Sequence, residues 1–143
     1  MLDKAEKIAG AQALINYNFT NPELCWEALQ TKGSSNYFPD EHKRLALLGN
    51  ALIRFRLLQE WFPTGKNTST GNATMTVGTE MNNLNELGRI TGLPKFVTSS
   101  PGQGGAVENS QVADTVKALV GAVDRDGGDQ ASVDGAMKAL GLL

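Results

Sequence analysis

The residues best suited to acid–base or nucleophilic chemistry are few. His42 is the only histidine and Cys25 is the only cysteine of the chain. Because no second histidine and no obvious nucleophile accompany His42, we expect a solvated residue at the start of a helix rather than a catalyst. Cys25 has no matching histidine and asparagine context, so we expect a core residue or a partly exposed thiol rather than a nucleophile.

Two other kinds of site are excluded by composition and local pattern. A single cysteine cannot form an intramolecular disulfide framework or a cysteine-rich zinc site. Residues 102–105 read Gly-Gln-Gly-Gly and lack the Lys-Ser/Thr of a phosphate-binding loop, so they predict a flexible connector. Any remaining chemistry therefore depends on charged side chains that helices bring together.

The spacing of apolar residues predicts an all-α fold, with no strand signal and no internal repeat. The first helix is predicted over Leu2 to Asn16, and Asn21 and Pro22 have the residue types that cap and open a second one. The second helix is predicted to end near 31–33. A long helix is predicted from Asp40 to about Trp61, followed by a polar loop over 64–71 and by a helix in the second half of 72–92 that Gly88 and Gly92 break and stop. After a loop over 98–105, a helix is predicted over 108–124, and a short last helix carries Val133, Met137 and Leu140.

The longest predicted helix is apolar around most of its circumference, which is typical of a central helix. Gly49 lies in its middle, where glycine costs about 1 kcal/mol relative to alanine. Such a glycine usually marks a close backbone approach. The apolar surface between Leu45 and Leu58 must be covered by the rest of the chain or by a second copy.

Four stretches, in the correct order over almost the whole chain, resemble the ribonuclease III family. Residues 43–51 read Lys-Arg-Leu-Ala-Leu-Leu-Gly-Asn-Ala, which is similar to the signature Glu-Arg-Leu-Glu-Phe-Leu-Gly-Asp-Ala. Residues 112–122 read Val-Ala-Asp-Thr-Val-Lys-Ala-Leu-Val-Gly-Ala, which is similar to the Ala-Asp-x-x-Glu-Ala-Leu-Ile-Gly-Ala helix. Residues 16–29 and 82–93 resemble the opening helix pair and an intermediate helix. The resemblance implies one dimeric nuclease-type domain over 1–143, with no room for the double-stranded-RNA-binding domain that many members append.

The resemblance also implies where a metal would bind. In the family, acidic side chains on two central helices hold divalent metal, which activates water for attack on a phosphodiester of double-stranded RNA. The matching positions here are Lys43, Ala46, Asn50, Asp114 and Lys117. The first three share one helical face and the last two share another. Five carboxylates would carry a formal charge of −5, whereas these five residues (two lysines, one aspartate) sum to +1.

The charge reversal argues against a metal ion. Magnesium prefers oxygen ligands, which Asp114 can supply with help from Asn50. However, an ammonium about 4 Å from a divalent ion costs roughly 8 kcal/mol at an effective dielectric of 20. We therefore expect no bound metal and no intact catalytic residue. We hypothesise that Lys43 or Lys117 pairs with Asp114 and lowers the pKa of its carboxyl group. In the alternative, local hydrogen-bond donors satisfy the Asp114 carboxylate.

Other residues are candidates for structural or binding roles. We expect Arg44 to reach a carboxylate or a loop carbonyl and to hold the fold rather than contact RNA. Leu47 matches a position where the family inserts an aromatic knob into the partner subunit, so the resemblance implies a dimer contact there, with a plain core position as the alternative. The candidate contacts to an RNA phosphate backbone are Lys43, Arg54, Arg56, Lys66 and Lys117.

Composition limits the kinds of partner. The 13 Lys and Arg residues against 15 Asp and Glu give a net charge of −2, so RNA affinity would need a local basic patch. No apolar run approaches the length of a transmembrane helix, and no presequence is visible at the N-terminus. A single free cysteine fits a reducing, intracellular compartment, cytoplasmic or organellar. Neither a membrane nor DNA is an expected partner.

Three functions remain open on these residues. The favoured one is a non-catalytic dimeric module associated with RNA or a ribonucleoprotein, as a homodimer or as a heterodimer with an intact paralogue. The second is a magnesium-dependent endoribonuclease for double-stranded RNA, which would combine Asp114 with acids such as Asp40, Glu41 or Glu108. The third is a protein-interaction module without an RNA role. A cleavage assay separates the second from the others, and a salt-dependent RNA titration separates the first from the third.

Overall fold

The computed structural model describes residues 1–34 and 37–143. Within these ranges the helices are α1 (Lys4–Ile15), α2 (Pro22–Ala28), α3 (Lys43–Trp61), α4 (Thr68–Gly78), α5 (Met81–Thr91), α6 (Asn109–Arg125) and α7 (Gln130–Ala139), with short 3₁₀ turns at Phe62–Thr64, Leu93–Phe96 and Pro101–Gln103. The strand pairing in this part of the chain is an isolated parallel bridge between Gln30 and Thr98. The predicted all-α class is confirmed.

Capping residues explain where several helices begin. Asp3 and Glu6 form a capping box at the start of α1, and the Asn21 side chain accepts a hydrogen bond from the backbone of Glu23 at the start of α2. Glu108 and Gln111 form a second capping box at α6. The predicted positions of α1, α6 and α7 and the cap of α2 are confirmed, because these signals lie within one helical turn.

The predicted end of α2 near residues 31–33 is wrong, since the helix ends at Ala28. The backbone beyond it bonds to a distant segment instead. Thr98 donates its N–H to the Leu29 carbonyl oxygen at 2.8 Å, and Thr31 donates its N–H to the Thr98 carbonyl oxygen at 3.0 Å. The Leu29 carbonyl and the Thr31 N–H therefore bond to Thr98 rather than to helical partners.

The long helix begins at Lys43 rather than at the predicted Asp40. Glu41 has φ of 51°, a left-handed backbone conformation that a right-handed helix does not contain. The helix ends at Trp61, as predicted, and Pro63 lies in the 3₁₀ turn that follows. Lys43 is therefore in the first turn of α3 rather than in its second.

The predicted loop over 64–71 is also partly wrong, because α4 begins inside it at Thr68. The Asn67 side chain accepts a hydrogen bond from the backbone of Thr70 at 3.0 Å and caps this helix. Gly88 does not break α5; it lies against Val112 of α6, where a Cβ would meet a methyl carbon at 2.5 Å. Gly92, with φ of 84°, ends α5 as predicted.

The centre of the fold is the crossing of α3 and α6. A Cβ added at Gly49 would collide with the Lys117 carbonyl oxygen, and one added at Gly121 would collide with the Leu45 carbonyl oxygen. The two backbones therefore touch at this crossing, which confirms the close approach predicted for Gly49. Ten residues of α6 are buried, so this helix forms the middle of the core.

One face of α3 remains uncovered. Leu47, Ala51 and Phe55 are spaced by four residues and all three are exposed, Leu47 to 76% and Phe55 to 62%. We call these three residues the α3 stripe. The predicted excess of apolar surface on this helix is therefore present, and the described residues do not bury it. No described helix is long and apolar enough to cross a membrane.

Candidate functional site

The crossing of α3 and α6 positions the five candidate metal-site residues. Backbone contacts of Gly49 and Gly121 set residues 45–49 of α3 against residues 117–121 of α6. Ala46 is buried at this contact, while the side chains of Asn50 and Lys117 are half-buried. Asp114 lies one helical turn before Lys117 on α6 and is also half-buried, and Lys43 is exposed in the first turn of α3.

The predicted pairing of Asp114 with a lysine is not formed within the described residues. The ion pairs found there at 4.0 Å or less are Lys4–Glu23, Arg44–Glu27, Arg56–Glu60 and Arg56–Asp134. None of them includes Lys43, Asp114 or Lys117. In the same part of the chain, no hydrogen bond from a local donor reaches the Asp114 carboxylate. Neither lysine therefore has a carboxylate oxygen within 4.0 Å in the described part of the chain.

His42 is buried, with 4% of its surface exposed, so the prediction of a solvated residue is wrong. Its Nδ1 lies 3.2 Å from Thr115 Oγ1 on α6, and the Thr115 hydroxyl donates to the Gln111 carbonyl oxygen at 2.7 Å. His42 precedes the buried Leu45 and Ala46 by three and four residues. Extending the buried face of α3 by one turn towards the N-terminus would have predicted that His42 is buried.

The environment of His42 opposes its protonation. Burial lowers its pKa, although the charge of Asp114, the Ala28 carbonyl and the charge of Glu41 act in the opposite direction. The charge of Lys43 lowers it further. A neutral histidine therefore joins the start of α3 to α6, next to Asp114.

We expect the stability of the chain to fall as pH decreases from 7.5 towards 5.5. Because folding lowers the pKa of His42 below 6.5, the unfolded state binds more protons in this window, and folded-state stability is lost as pH falls through the folded pKa. The slope is at most about 1.4 kcal/mol per pH unit for one proton. Urea unfolding of the unmodified chain and of His42→Gln at several pH values measures it. Equal slopes for the two proteins would contradict the assignment.

Arg44 has the structural role that the sequence predicted. Its Nε and Nη2 donate to the two carboxylate oxygens of Glu27 at 2.6 and 2.8 Å, which ties α3 to α2. The Glu27 side chain is only 3% exposed, whereas the Arg44 side chain is 69% exposed. The pair therefore neutralises a buried carboxylate from the solvent side.

Replacing Arg44 by alanine is expected to destabilise the fold by about 2 kcal/mol, because it leaves the buried Glu27 carboxylate without its partner. The exposure of Arg44 keeps this value below that of a fully buried pair. Chemical denaturation measures the loss. The double variant Arg44→Ala with Glu27→Gln removes the uncompensated charge and should regain part of the stability; a double variant that is less stable still would refute this explanation.

The five candidate RNA contacts do not form one patch. Arg56 donates to Asp134 through Nε at 2.8 Å and Nη2 at 3.1 Å, and it also pairs with Glu60 at 2.6 Å. Arg54 donates to Thr79 Oγ1 at 3.0 Å. Lys66 lies beyond the C-terminal end of α3, a helix about 27 Å long, so it is remote from Lys43. Lys43 and Lys117, at the α3–α6 crossing, are the better-placed pair.

The remaining acids and the cysteine do not assemble a second site. No group of three or more His, Cys, Asp or Glu side chains that can hold a metal ion is found among residues 1–34 and 37–143. Glu108 is at the N-cap of α6, where its backbone N–H donates to Gln111 Oε1 at 2.9 Å. Cys25 is buried in the core, and burial raises the pKa of its thiol to about 12, which makes it a poor nucleophile.

The sequence of this chain is similar to those of known ribonucleases. No family model matches the chain. Ribonuclease 3 of Vibrio vulnificus is 31% identical over 120 residues, which cover 78% of this chain and 51% of that protein. Ribonuclease 3 of Ehrlichia chaffeensis is 30% identical over 137 residues, which cover 89% of this chain and 59% of that protein.

The fold is also similar to that of a ribonuclease III domain. The nuclease domain of ribonuclease III from Campylobacter jejuni matches with a TM-score of 0.83 at 18% identity, over 93% of this chain and 95% of that domain. In sequence and in fold, the chain is therefore similar to ribonuclease III nuclease domains. The predicted ribonuclease III fold is thereby confirmed. The chain spans between about half and three-fifths of the length of the curated ribonuclease 3 relatives described above.

Proposed function

We propose that this ribonuclease III domain is a non-catalytic, dimeric module that binds duplex RNA within a larger RNA-processing or ribonucleoprotein assembly. The observation that carries the proposal is the charge at the α3–α6 crossing. Where the family places carboxylates, this chain has Lys43, Ala46, Asn50, Asp114 and Lys117. The two lysines have no carboxylate partner within 4.0 Å among the described residues.

The side chains at this crossing do not fit a divalent metal ion. Asp114 offers one carboxylate and Asn50 one amide oxygen, but Ala46 offers no donor. Lys43 and Lys117 would repel the ion. Metal-dependent hydrolysis is therefore not part of the proposed function, and the same two ammonium groups are suited to contact a phosphate oxygen directly.

Cleavage of duplex RNA tests the non-catalytic part of the proposal. We expect no magnesium-dependent products from the purified chain, and no difference between it and Asp114→Ala. Cleavage that disappears in Asp114→Ala would refute the proposal and identify an enzyme with an altered acidic site. Because a contaminating nuclease would cleave with both proteins, the variant separates the two sources of activity.

RNA binding is tested by its dependence on salt. Lys43→Gln with Lys117→Gln is expected to weaken duplex binding and to reduce the slope of log K against log salt by about one for each lysine. Lys32→Gln with Lys95→Gln changes two exposed lysines elsewhere and is the matched control. If the chain binds no duplex RNA, or if both double variants bind it equally well, the RNA-binding part of the proposal is refuted. The remaining function would then be that of a protein-interaction module.

The α3 stripe supports self-association. Leu47 and Phe55 expose most of their side chains, and such a surface is typical of a protein interface. One structure of the Campylobacter jejuni domain is described as showing structural flexibility in a region involved in dimer formation. We infer that a second copy of this chain covers the stripe.

Charge placed in the stripe should prevent dimer formation. Leu47→Glu with Phe55→Glu is expected to convert a dimer into a monomer in sedimentation velocity experiments, because each subunit would bring two carboxylates that are desolvated at the interface. Ile90→Glu alters an equally exposed apolar residue on α5 and should leave the dimer intact. An unmodified chain that sediments as a monomer at high concentration would contradict self-association and favour a paralogue as the partner.

A further inference from the structure

A recessed surface lies near the C-terminal end of α3, away from the candidate site at the α3–α6 crossing. It is a cleft of about 450 Å³ between the last turns of α3, the first half of α4 and the tail that follows α7. Its apolar lining comes from Leu57, Trp61, Leu142 and Leu143. This volume falls within the range of small-molecule binding sites.

The apolar wall of this cleft is held in place before any ligand arrives. Trp61 donates its Nε1–H to the Asn67 carbonyl oxygen at 3.1 Å. Its ring lies against Gly71 of α4, where a Cβ would approach the indole to 2.7 Å. A wall that is already ordered loses little conformational entropy on binding.

Two lysine side chains at the cleft would attract an anionic group. Lys66 and Lys138 are exposed at its edge, and neither forms an ion pair within 4.0 Å in the described part of the chain. The acid in the lining, Glu60, is paired with Arg56 at 2.6 Å. The nearby hydroxyls of Thr64 and Thr74 donate to backbone carbonyl oxygens, which leaves the two ammonium groups as the available donors.

We propose that this cleft binds a small organic anion with an apolar body, such as an aromatic or acyl carboxylate. The apolar body packs on Leu57, Trp61 and Leu142, and the anionic group contacts Lys66 and Lys138. The proposal depends on neither RNA binding nor dimer formation, since the cleft shares no residue with the α3 stripe or with the α3–α6 site.

The test uses 8-anilinonaphthalene-1-sulfonate, an apolar anion whose fluorescence rises when it leaves water. We expect saturable binding to the full chain, competition by decanoate, and weaker binding of the uncharged analogue N-phenyl-1-naphthylamine. Lys66→Gln with Lys138→Gln should weaken binding of the sulfonate about tenfold, through loss of charge-assisted contacts. The control pair Lys32→Gln with Lys95→Gln should leave the affinity unchanged.

A third variant locates the bound dye. Thr74→Trp places a large side chain at the edge of the cleft and should abolish binding, whereas Ile90→Ala, a change on a remote apolar surface, should not alter it. Circular dichroism checks that each variant is folded. If Thr74→Trp does not fold, the comparison of the two lysine double variants tests the proposal. Absence of saturable binding, equal affinity in both lysine pairs, or equal affinity for the neutral analogue would each overturn the proposal.

Discussion

Restoring carboxylates at the α3–α6 crossing is expected to create a divalent-ion site where the natural chain has none. The variant carries Lys43→Glu, Ala46→Glu, Asn50→Asp and Lys117→Glu. With Asp114 unchanged, the formal charge of the five positions moves from +1 to −5. Each unit charge about 4 Å from a divalent ion contributes roughly 8 kcal/mol at an effective dielectric of 20, so the change in ion affinity should be large.

Manganese titration measures this effect, by calorimetry and by the thermal midpoint. Without metal, the variant should be less stable than the natural chain, because it places like charges together and puts a carboxylate at the buried position 46. Manganese at about 100 times its dissociation constant should then stabilise the variant by about 2.7 kcal/mol. The natural chain should show no such shift.

A matched control separates a built site from a general increase in negative charge. Lys32→Glu, Lys66→Glu and Lys95→Glu together change the net charge by the same amount, −6, on exposed positions away from the crossing. This control should not gain saturable manganese binding. Manganese binding by the natural chain with an affinity equal to that of the carboxylate variant would remove the basis of the non-catalytic proposal.

Gly49→Ala is expected to destabilise the fold by about 3 kcal/mol, with a fall in Tm of about 10 °C. The added Cβ would collide with the Lys117 carbonyl oxygen, which belongs to backbone and cannot move by a change of rotamer. The two central helices would therefore have to separate along the crossing that positions the candidate site. Thermal and urea unfolding measure the loss of stability.

Gly135→Ala is the matched control for the helical context. Gly135 lies inside α7, and a Cβ there would meet no atom within 4 Å. This substitution should stabilise the fold by about 0.5 to 1 kcal/mol, because alanine has the higher helix propensity. Similar effects at positions 49 and 135 would show that propensity, rather than backbone contact, accounts for the result at Gly49.

Elements defined by neighbouring residues were predictable. Asn21, Glu108 and the apolar spacing of α1, α6 and α7 act within one or two turns, and the structure places those helices as predicted. By contrast, residues 68–78 are rich in Thr, Ser, Gly and Asn and resemble a loop by composition. Their helix is formed because Asn67 caps it and because Gly71 packs on Trp61, and packing overrides weak propensity.

Residue types and their helical spacing were sufficient to recognise the family resemblance and to predict the close approach at Gly49, and the resemblance then located the five positions whose charge is reversed. Which charged groups are paired and which polar groups are buried became known only from the packing of the helices. Arg56 meets Asp134 across 78 residues, and His42 meets Thr115 across 73. Such contacts depend on how helices distant in the chain are oriented, and local periodicity carries no information about that orientation.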